Sequence, residues 1–305
     1  MRHLVSLSDV TAAEIARIFS ITEDLKSKFA CGLREPLLPG RVLALLFEKQ
    51  SLRTRVSFEA GIAHLGGSSV MLGEEAGFGK RESVADFARV LSEMVDVIVV
   101  RAMRHATVVQ IAAHSACSVV NGLTDLAHPC QVLSDLFTLQ EHCGPLAGTR
   151  LAWVGDGNNV AMSLVQGCGH LGVKLAVCTP PGYELGREFL AEAAREFPAL
   201  DLMTTHDPSE AVRGARAVYT DVWTSMGQEA ERDERKKIFA KYQVNSKLMA
   251  QAARDALFMH CLPAHRGEEV TDEVIDGSRS VVVAQAANRM HVQKGILVWL
   301  LAAQA

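Results

Sequence analysis

Short apolar runs alternate along the chain with longer stretches in which apolar residues recur every three or four positions. In the first half the runs are RVLALLF (41–47), SSVMLG (68–73), VDVIVVR (95–101) and CSVVNG (117–122). Short apolar runs of this length predict buried strands. The stretches between them, 54–65, 82–94 and 107–114, carry helical spacing. Strand and helix in strict alternation predict a parallel sheet covered by helices on both faces.

The rhythm pauses at HCGPLAGTR (142–150), where Gly144, Pro145 and Gly148 mark a turn. It then restarts. LAWVG (151–155), VKLAVCT (173–179), ARAVYTD (215–221), ALFMHC (256–261) and SVVVAQ (280–285) predict a second set of strands. A helix over 159–171 ends at Gly172, a residue suited to stopping it. The expected fold is α/β, with two doubly wound parallel-sheet domains over 1–143 and 144–285. The last helix, within 286–305, is expected to pack back on the first domain.

The chain's 305 residues are enough to bury two cores. With 49% apolar and 22% charged residues it reads as an ordinary globular protein. A formal charge of −4 gives no overall basic balance for nucleic acid, so local positive clusters must serve local anions. Seven cysteines, dispersed and without a CxxC pair, predict reduced thiols and a cytoplasmic setting. The N-terminus has no apolar signal core. No apolar run reaches membrane-span length, and GILVWLLAA (295–303) reads as a packed helix.

The first candidate chemistry lies in FEKQSLRTRVSFEAG (47–61), where Ser51, Arg53, Thr54 and Arg55 fall between a strand and a helix. A helix N-terminus offers unpaired N–H groups and partial positive charge, and hydroxyls and guanidinium forks add donors for phosphate-like oxygens. The plain alternative is helix capping with solvated arginines. The loop is not a Walker A sequence, so nucleotide hydrolysis is not expected. Arg101 ends another strand. In LAHPCQVLSDLF (126–137), His128 and Gln131 share a helix face and could hold a planar amide, with Pro129 at the first helical position. Each group alone has a bland reading, as surface charge, cap or core. Together they mark carboxyl ends of strands in one sheet, where open α/β sheets bind ligands.

In the second half, LAWVGDGNNVAMS (151–163) nearly matches a dinucleotide fingerprint. Val160 occupies the third small position, however, and the next strand ends without the acidic residue that binds ribose. A nicotinamide dehydrogenase is therefore a minor alternative, and Asn158 and Asn159 offer amides instead. Asp221, in YTDVWTSMGQEAE (219–231), stands at a strand end, available to an ammonium group. Cys261, in FMHCLPAHRGEEV (258–270), is a thiol between a strand and a proline turn, or simply a buried inert cysteine. His260 and His265 are close in sequence, but no second cysteine suits zinc, and no metal is expected. Arg289, in AANRMH, is a further anion contact or a surface charge.

SLRTR, HPCQ, DVWTSMGQE, HCLP and EVTDEV, in this order over nearly the whole chain, resemble the ornithine carbamoyltransferase family. The resemblance implies two α/β domains with an inter-domain active site, assembly as a homotrimer or a multiple of trimers, and no cofactor. The substrates it implies are carbamoyl phosphate and L-ornithine, the products citrulline and phosphate. Ser51, Leu52 through its backbone, Arg53 and Thr54 would hold carbamoyl phosphate with Arg101, His128, Gln131, Cys261, Leu262 and Arg289. Asn159, Asp221, Ser225 and Met226 would hold ornithine. Arg101, His128, Asp221 and Cys261 would serve catalysis. The amine's proton would pass to the departing phosphate or to a thiolate.

Two positions depart from the family's pattern. Leu52 stands where threonine is more common. Gly77 stands where a glutamine is common, with Lys80 or Arg81 as its substitute. Aspartate carbamoyltransferase shares the first-domain motifs but lacks the SMG turn and has proline where this chain has Cys261. Acylated ornithine, putrescine and aspartate remain alternative acceptors, and a non-catalytic binding relative a further alternative.

Overall fold

The computed structural model describes residues 1–73, 82–224 and 229–302. The chain forms two compact units. One comprises residues 1–133 with the segment from Asn288 onward, the other residues 134–287.

The first unit opens with α1 (Ala12–Ala30), whose N-terminus is closed by a reciprocal capping box between Thr11 and Glu14. Four parallel strands follow, β1 (Val42–Phe47), β2 (Ser68–Leu72), β3 (Val97–Arg101) and β4 (Ser118–Leu123), in the order β2-β1-β3-β4. The connecting helices are α2 (Leu52–His64), α3 (Val84–Ser92) and α4 (His105–His114). Side chains alternate across a strand, so Ala44 and Leu46 of β1 and Ile98 and Val100 of β3 share one face. They pack there with Val108 and Ile111 of α4. Register fixes the functional edge. Phe47 pairs with Arg101, which brings the end of β1 level with the end of β3.

Helix α5 (Pro129–Cys143) carries the chain from the first unit into the second. There β5 (Arg150–Val154), α6 (Asn159–Leu171), β6 (Lys174–Cys178), α7 (Arg187–Glu196), β7 (Leu202–Thr205), α8 (Pro208–Val212), β8 (Ala217–Thr220), α9 (Arg232–Phe239), α10 (Ser246–Met249), β9 (Leu257–His260) and α11 (Asp272–Ile275) follow. The five parallel strands run β7-β6-β5-β8-β9. The order reverses at β5, so the loops after β5 and β8 flank a topological switch point. Thr220 pairs with His260, which places Asp221 and Cys261 side by side as they leave adjacent strands. Gly172 ends α6 in the left-handed conformation, with φ 65.

One predicted strand is absent. Residues 280–285 contribute only a bridge between Ser280 and Phe258, and the chain turns helical at Val282. Helix α12 (Val282–Leu301) returns to the first unit. There Gly295 admits α1, because a Cβ would stand 2.3 Å from the Thr22 hydroxyl. Strand β7 was not among the predicted runs. Among the described residues no helix is long and apolar enough to cross a membrane.

Candidate active site

In the first unit, Ser51 ends the loop after β1 and caps α2. Its hydroxyl oxygen accepts from the Thr54 backbone N–H at 3.4 Å, and the two hydroxyls lie 3.0 Å apart. Thr54, buried in the first turn of α2, also accepts from Arg289 Nη2 of α12 at 2.7 Å. Two segments distant in sequence thus converge on one helix N-terminus, where the dipole already favours an anion. Arg53 is half-buried, and Leu52 is 76% exposed.

Arg101 joins this cluster from β3. Burial and the like charges of Arg289 and Arg53 push its guanidinium down to about 10. Its Nε is buried, with no hydrogen-bond partner among the described residues. Guanidinium groups crowded together and partly withdrawn from water are held at a cost that a bound anion would offset. His128 and Gln131, at the start of α5, are buried. Burial, then Arg289 and Arg101, holds the His128 imidazole well below its usual range, so it is neutral. A neutral imidazole can donate one hydrogen bond to a carbonyl without adding charge.

The second unit builds a different cluster. Asp221 follows β8 and is 8% exposed. Its Oδ1 accepts from Cys261 Sγ at 2.9 Å and from the Val222 N–H at 2.8 Å. Its Oδ2 accepts from Asn158 Nδ2 at 3.0 Å. Asn158 uses its other amide atom to cap α6, accepting from the N–H groups of Val160 and Ala161. Asp221 is therefore fixed on both oxygens by side chains from two other strand ends.

Burial, then the Asp221 charge and hydrogen bond, pushes the Cys261 thiol well up. The group is a protonated donor to a carboxylate, which removes a resting Cys261 thiolate as the proton acceptor. Leu262 adopts left-handed backbone, φ 57, which leucine rarely does. Its N–H donates to His260 Nδ1 at 2.9 Å, and His260 Nε2 faces Glu269 Oε1 at 3.0 Å. These partners assign His260 the tautomer with hydrogen on Nε2. Behind it, the His260 N–H donates to Gln285, Gln285 donates to Asp135, and Tyr219 donates to Asp135 at 2.8 Å.

Asp221, His260 and Cys261 bring three potential metal-ligand atoms within 4.8 Å of one another, as do His265, Glu268 and Glu269. In the first group these atoms are already engaged. Cys261 bonds Asp221, while His260 bonds Leu262 and Glu269. The glycine-rich turn after β5 is likewise occupied by the chain itself. A Cβ on Gly157 would stand 2.7 Å from the backbone of Tyr183 and Glu184, and the Gly157 N–H donates to Tyr183 O at 2.9 Å. Close approach at this glycine serves chain packing rather than a pyrophosphate.

Ser51, Thr54 and Arg289 are hydrogen-bonded together, with Arg53, Arg101 and His128 within their electrostatic reach. Asp221 and Cys261 meet in the second unit, Leu262 follows them, and Asn159 is the first residue of α6. Ser225 and Met226 lie outside the described residues, as do Gly77, Lys80 and Arg81. Sequence reasoning did not anticipate that Asn158, rather than its neighbour, bonds Asp221. It also missed the chain from Tyr219 through Asp135 and Gln285 to His260. The doubled asparagine was a visible signal for the first, but nothing in local spacing signalled the second.

Both units resemble known proteins. Residues 2–141 match the family model of the aspartate/ornithine carbamoyltransferase carbamoyl-P binding domain. Residues 147–300 match that of the Asp/Orn binding domain. The chain is 50% identical over 303 residues to an ornithine carbamoyltransferase of Carboxydothermus hydrogenoformans, covering 98% of this chain and 97% of that protein. The solved ornithine carbamoyltransferase of Pyrococcus furiosus superposes with a TM-score of 0.95 at 46% identity, over 99% of this chain and 97% of that one. The Thermus thermophilus structure of the same name gives 0.89 at 44%, over 99% of each chain. With both domain models matched in order and likeness extending end to end, the chain belongs to the aspartate/ornithine carbamoyltransferase family.

Proposed function

We propose that the protein transfers the carbamoyl group of carbamoyl phosphate to the side-chain amine of L-ornithine, giving L-citrulline and phosphate. The observation that carries the reading is Arg101, a half-buried guanidinium with a buried Nε, acted on by Arg289 and Arg53, beside the capped N-terminus of α2. Such a site calls for a small dianion. Ser51, the Leu52 N–H, Arg53 and Thr54 bind the phosphate oxygens. His128 and Gln131 bind the carbamoyl group, and Arg289 holds Thr54 in place.

Asp221, fixed by Asn158 and Cys261, binds the ornithine ammonium, with Asn159, Ser225 and Met226 along the substrate. An amine of this kind has an ordinary pKa of about 10.4 and attacks only after losing a proton. Attack by its nitrogen on the carbamoyl carbon forms the new C–N bond and moves charge onto the carbonyl oxygen. Arg101, His128 and Thr54 stabilise that charge. The C–O bond to phosphate then breaks, and the departing phosphate takes the second proton, the one left on the attacking nitrogen after the ammonium has lost its first to water. Cys261, a protonated thiol, keeps Asp221 oriented and is not the base.

We also read the protein as cytoplasmic, serving arginine-type amino-acid metabolism, and as a homotrimer or a multiple of trimers. Seven dispersed cysteines, all unpaired in the fold, suit a reducing compartment. Light scattering measures the assembly. A colorimetric citrulline assay with ornithine, acetylornithine, putrescine and aspartate in parallel tests the reaction. Turnover confined to ornithine is expected, and carbamoylation of another amine in its place overturns the acceptor.

A further inference from the structure

Beyond that reaction, the first unit holds a second concentration of basic groups, built around one aromatic ring. Phe29, at the end of α1, has the Arg34 guanidinium carbon 3.7 Å from its ring centroid and Lys294 Nζ at 5.3 Å. The His64 ring lies 5.4 Å away, and the His291 ring 5.0 Å away, edge-on. These residues come from the ends of α1 and α2, the loop after α1, and α12.

The cluster has cations and lacks anions. Lys294 is 2% exposed and His291 5% exposed. Among the described residues, Lys294 Nζ has no hydrogen bond or ion pair, only its approach to the Phe29 ring. Among the same residues, His64 Nδ1 and His291 Nδ1 are both buried without partners. The nearby carboxylates are engaged elsewhere, Asp24 and Glu35 both pairing with Lys28. Burial, then Arg34, pushes the Lys294 ammonium down to about 8. Burial, then Lys294, Lys26, His64 and Arg34, pushes His291 down to about 3. Among the described residues no carboxylate acts on either group.

A cation-on-ring contact compensates little of the cost of withdrawing an ammonium from water. The Lys294 stem packs against α2 at Gly61, where a Cβ would stand at an ordinary contact distance of 3.5 Å from Lys294 Cγ. Arg34 is exposed and His64 half-buried, which leaves an approach from solvent.

We propose that Arg34, His64, His291 and Lys294 form a second anion site, distinct from the one at Ser51 and Thr54, for a small phosphate-like or carboxylate oxyanion. Arg34 Nη1 already donates to Phe29 O and Leu33 O, so an oxyanion there accepts from the remaining Arg34 N–H groups, the Lys294 ammonium and the imidazole nitrogens. It supplies the charge and the acceptors that the cluster lacks. The same chemistry has two sources, a free anion such as inorganic phosphate or a side-chain carboxylate of a second copy of this chain.

Calorimetric titration with inorganic phosphate, on the full chain saturated with phosphonoacetyl-ornithine, separates this site from the first. Residual phosphate binding is expected in the wild type, lost in Lys294→Met and weakened in Arg34→Ala. The exposed Arg34 guards against a failure of the buried variant to fold. A parallel arm measures assembly mass by light scattering. If the wild type takes up no residual phosphate but the mass falls in both variants, the anion is a carboxylate from a second copy. If neither phosphate uptake nor mass differs from wild type in either variant, the site does not exist. Should the analogue itself fail to bind, the reading of the first site falls, while the difference between wild type and Lys294→Met still reports on the second.

Discussion

Arg289 donates from Nη2 to Thr54 Oγ1 at 2.7 Å, joining residues 235 positions apart at the first turn of α2. Both side chains are buried, so the bond is charge-assisted and little screened. Thr54→Val keeps the shape and removes the acceptor. A hydrogen bond to a charged group contributes about 1.5–3 kcal/mol, so about 10- to 100-fold weaker use of carbamoyl phosphate is expected in kcat/KM. Thr54→Ser should restore most of it. Steady-state kinetics at saturating ornithine provide the check, and a Thr54→Val enzyme with wild-type kcat/KM would remove Thr54 from the site.

His128 is expected to stabilise charge on the carbamoyl oxygen as a neutral donor. Removing one such donor typically costs about a hundredfold or more in rate. His128→Ala should lose turnover to that extent while keeping a cooperative unfolding transition. The imidazole is held well below its usual range, so His128 should add no limb to the kcat profile between about pH 5 and 8. Near-normal turnover in the purified variant would reject the role.

Cys261 is held as a thiol, first by burial and then by Asp221. Asp221→Asn removes the negative charge beside Sγ and leaves the burial in place. The thiolate becomes easier to form, so alkylation of Cys261 by iodoacetamide should be faster in the variant at a given pH. Mass spectrometry resolves Cys261 from the other six of the seven cysteines. Equal Cys261 rates in the two proteins would show that the carboxylate has no hold on the thiol.

Most strands were legible in the chain because they are buried on both faces and so read as continuous apolar runs. Strand β7 escaped for the opposite reason. It is an edge strand, four residues long and mostly half-buried, with no run to see. SVVVAQ misled in the other direction. Three valines flanked by Ser280, Ala284 and Gln285 cannot distinguish a strand from the first turns of a buried helix, and in the fold Val282 is buried while Val283 is 77% exposed. At the site, residue types and strand-end positions were readable. The pairings were not, because Arg289 with Thr54 depends on how α12 docks beside α2, and Asn158 with Asp221 on strand order, rather than on spacing.

The basic cluster around Phe29 gives a pH signature. His291 titrates near 3 in the fold, against an ordinary value of 6.5. The unfolded chain therefore binds more protons in this window, and the His291 contribution to stability is lost as pH falls from 6.5 toward 3. His291→Gln removes the group. Its unfolding free energy should decline less steeply with acid than that of the wild type. Urea denaturation at a series of pH values measures the two slopes, and parallel slopes would show that His291 protonates freely in the fold.

Arg235 presents the sharpest case of a buried charge that the fold must satisfy. It is 3% exposed, paired with Asp156 in the loop after β5, and its Nε donates to Trp223 O at 2.5 Å. Its guanidinium carbon lies 4.7 Å from the Tyr183 ring centroid and 5.3 Å from that of Phe239. Asp156 in turn accepts the Trp153 indole N–H through its backbone oxygen at 2.9 Å. Even with this partner, burial pushes the Asp156 carboxyl up to about 6. Arg235→Met fills similar volume but strands the carboxylate. Breaking a buried pair by removing one member costs about 3–5 kcal/mol, which urea denaturation should read as a lower midpoint with an unchanged slope. Adding Asp156→Asn to Arg235→Met removes the stranded charge and should recover part of the loss. The deficit of the single variant should also shrink on acidification, since protonation discharges Asp156. A loss below about 1 kcal/mol in Arg235→Met, the range of an exposed pair, would mean that water reaches Asp156 and that the contact is ordinary surface chemistry.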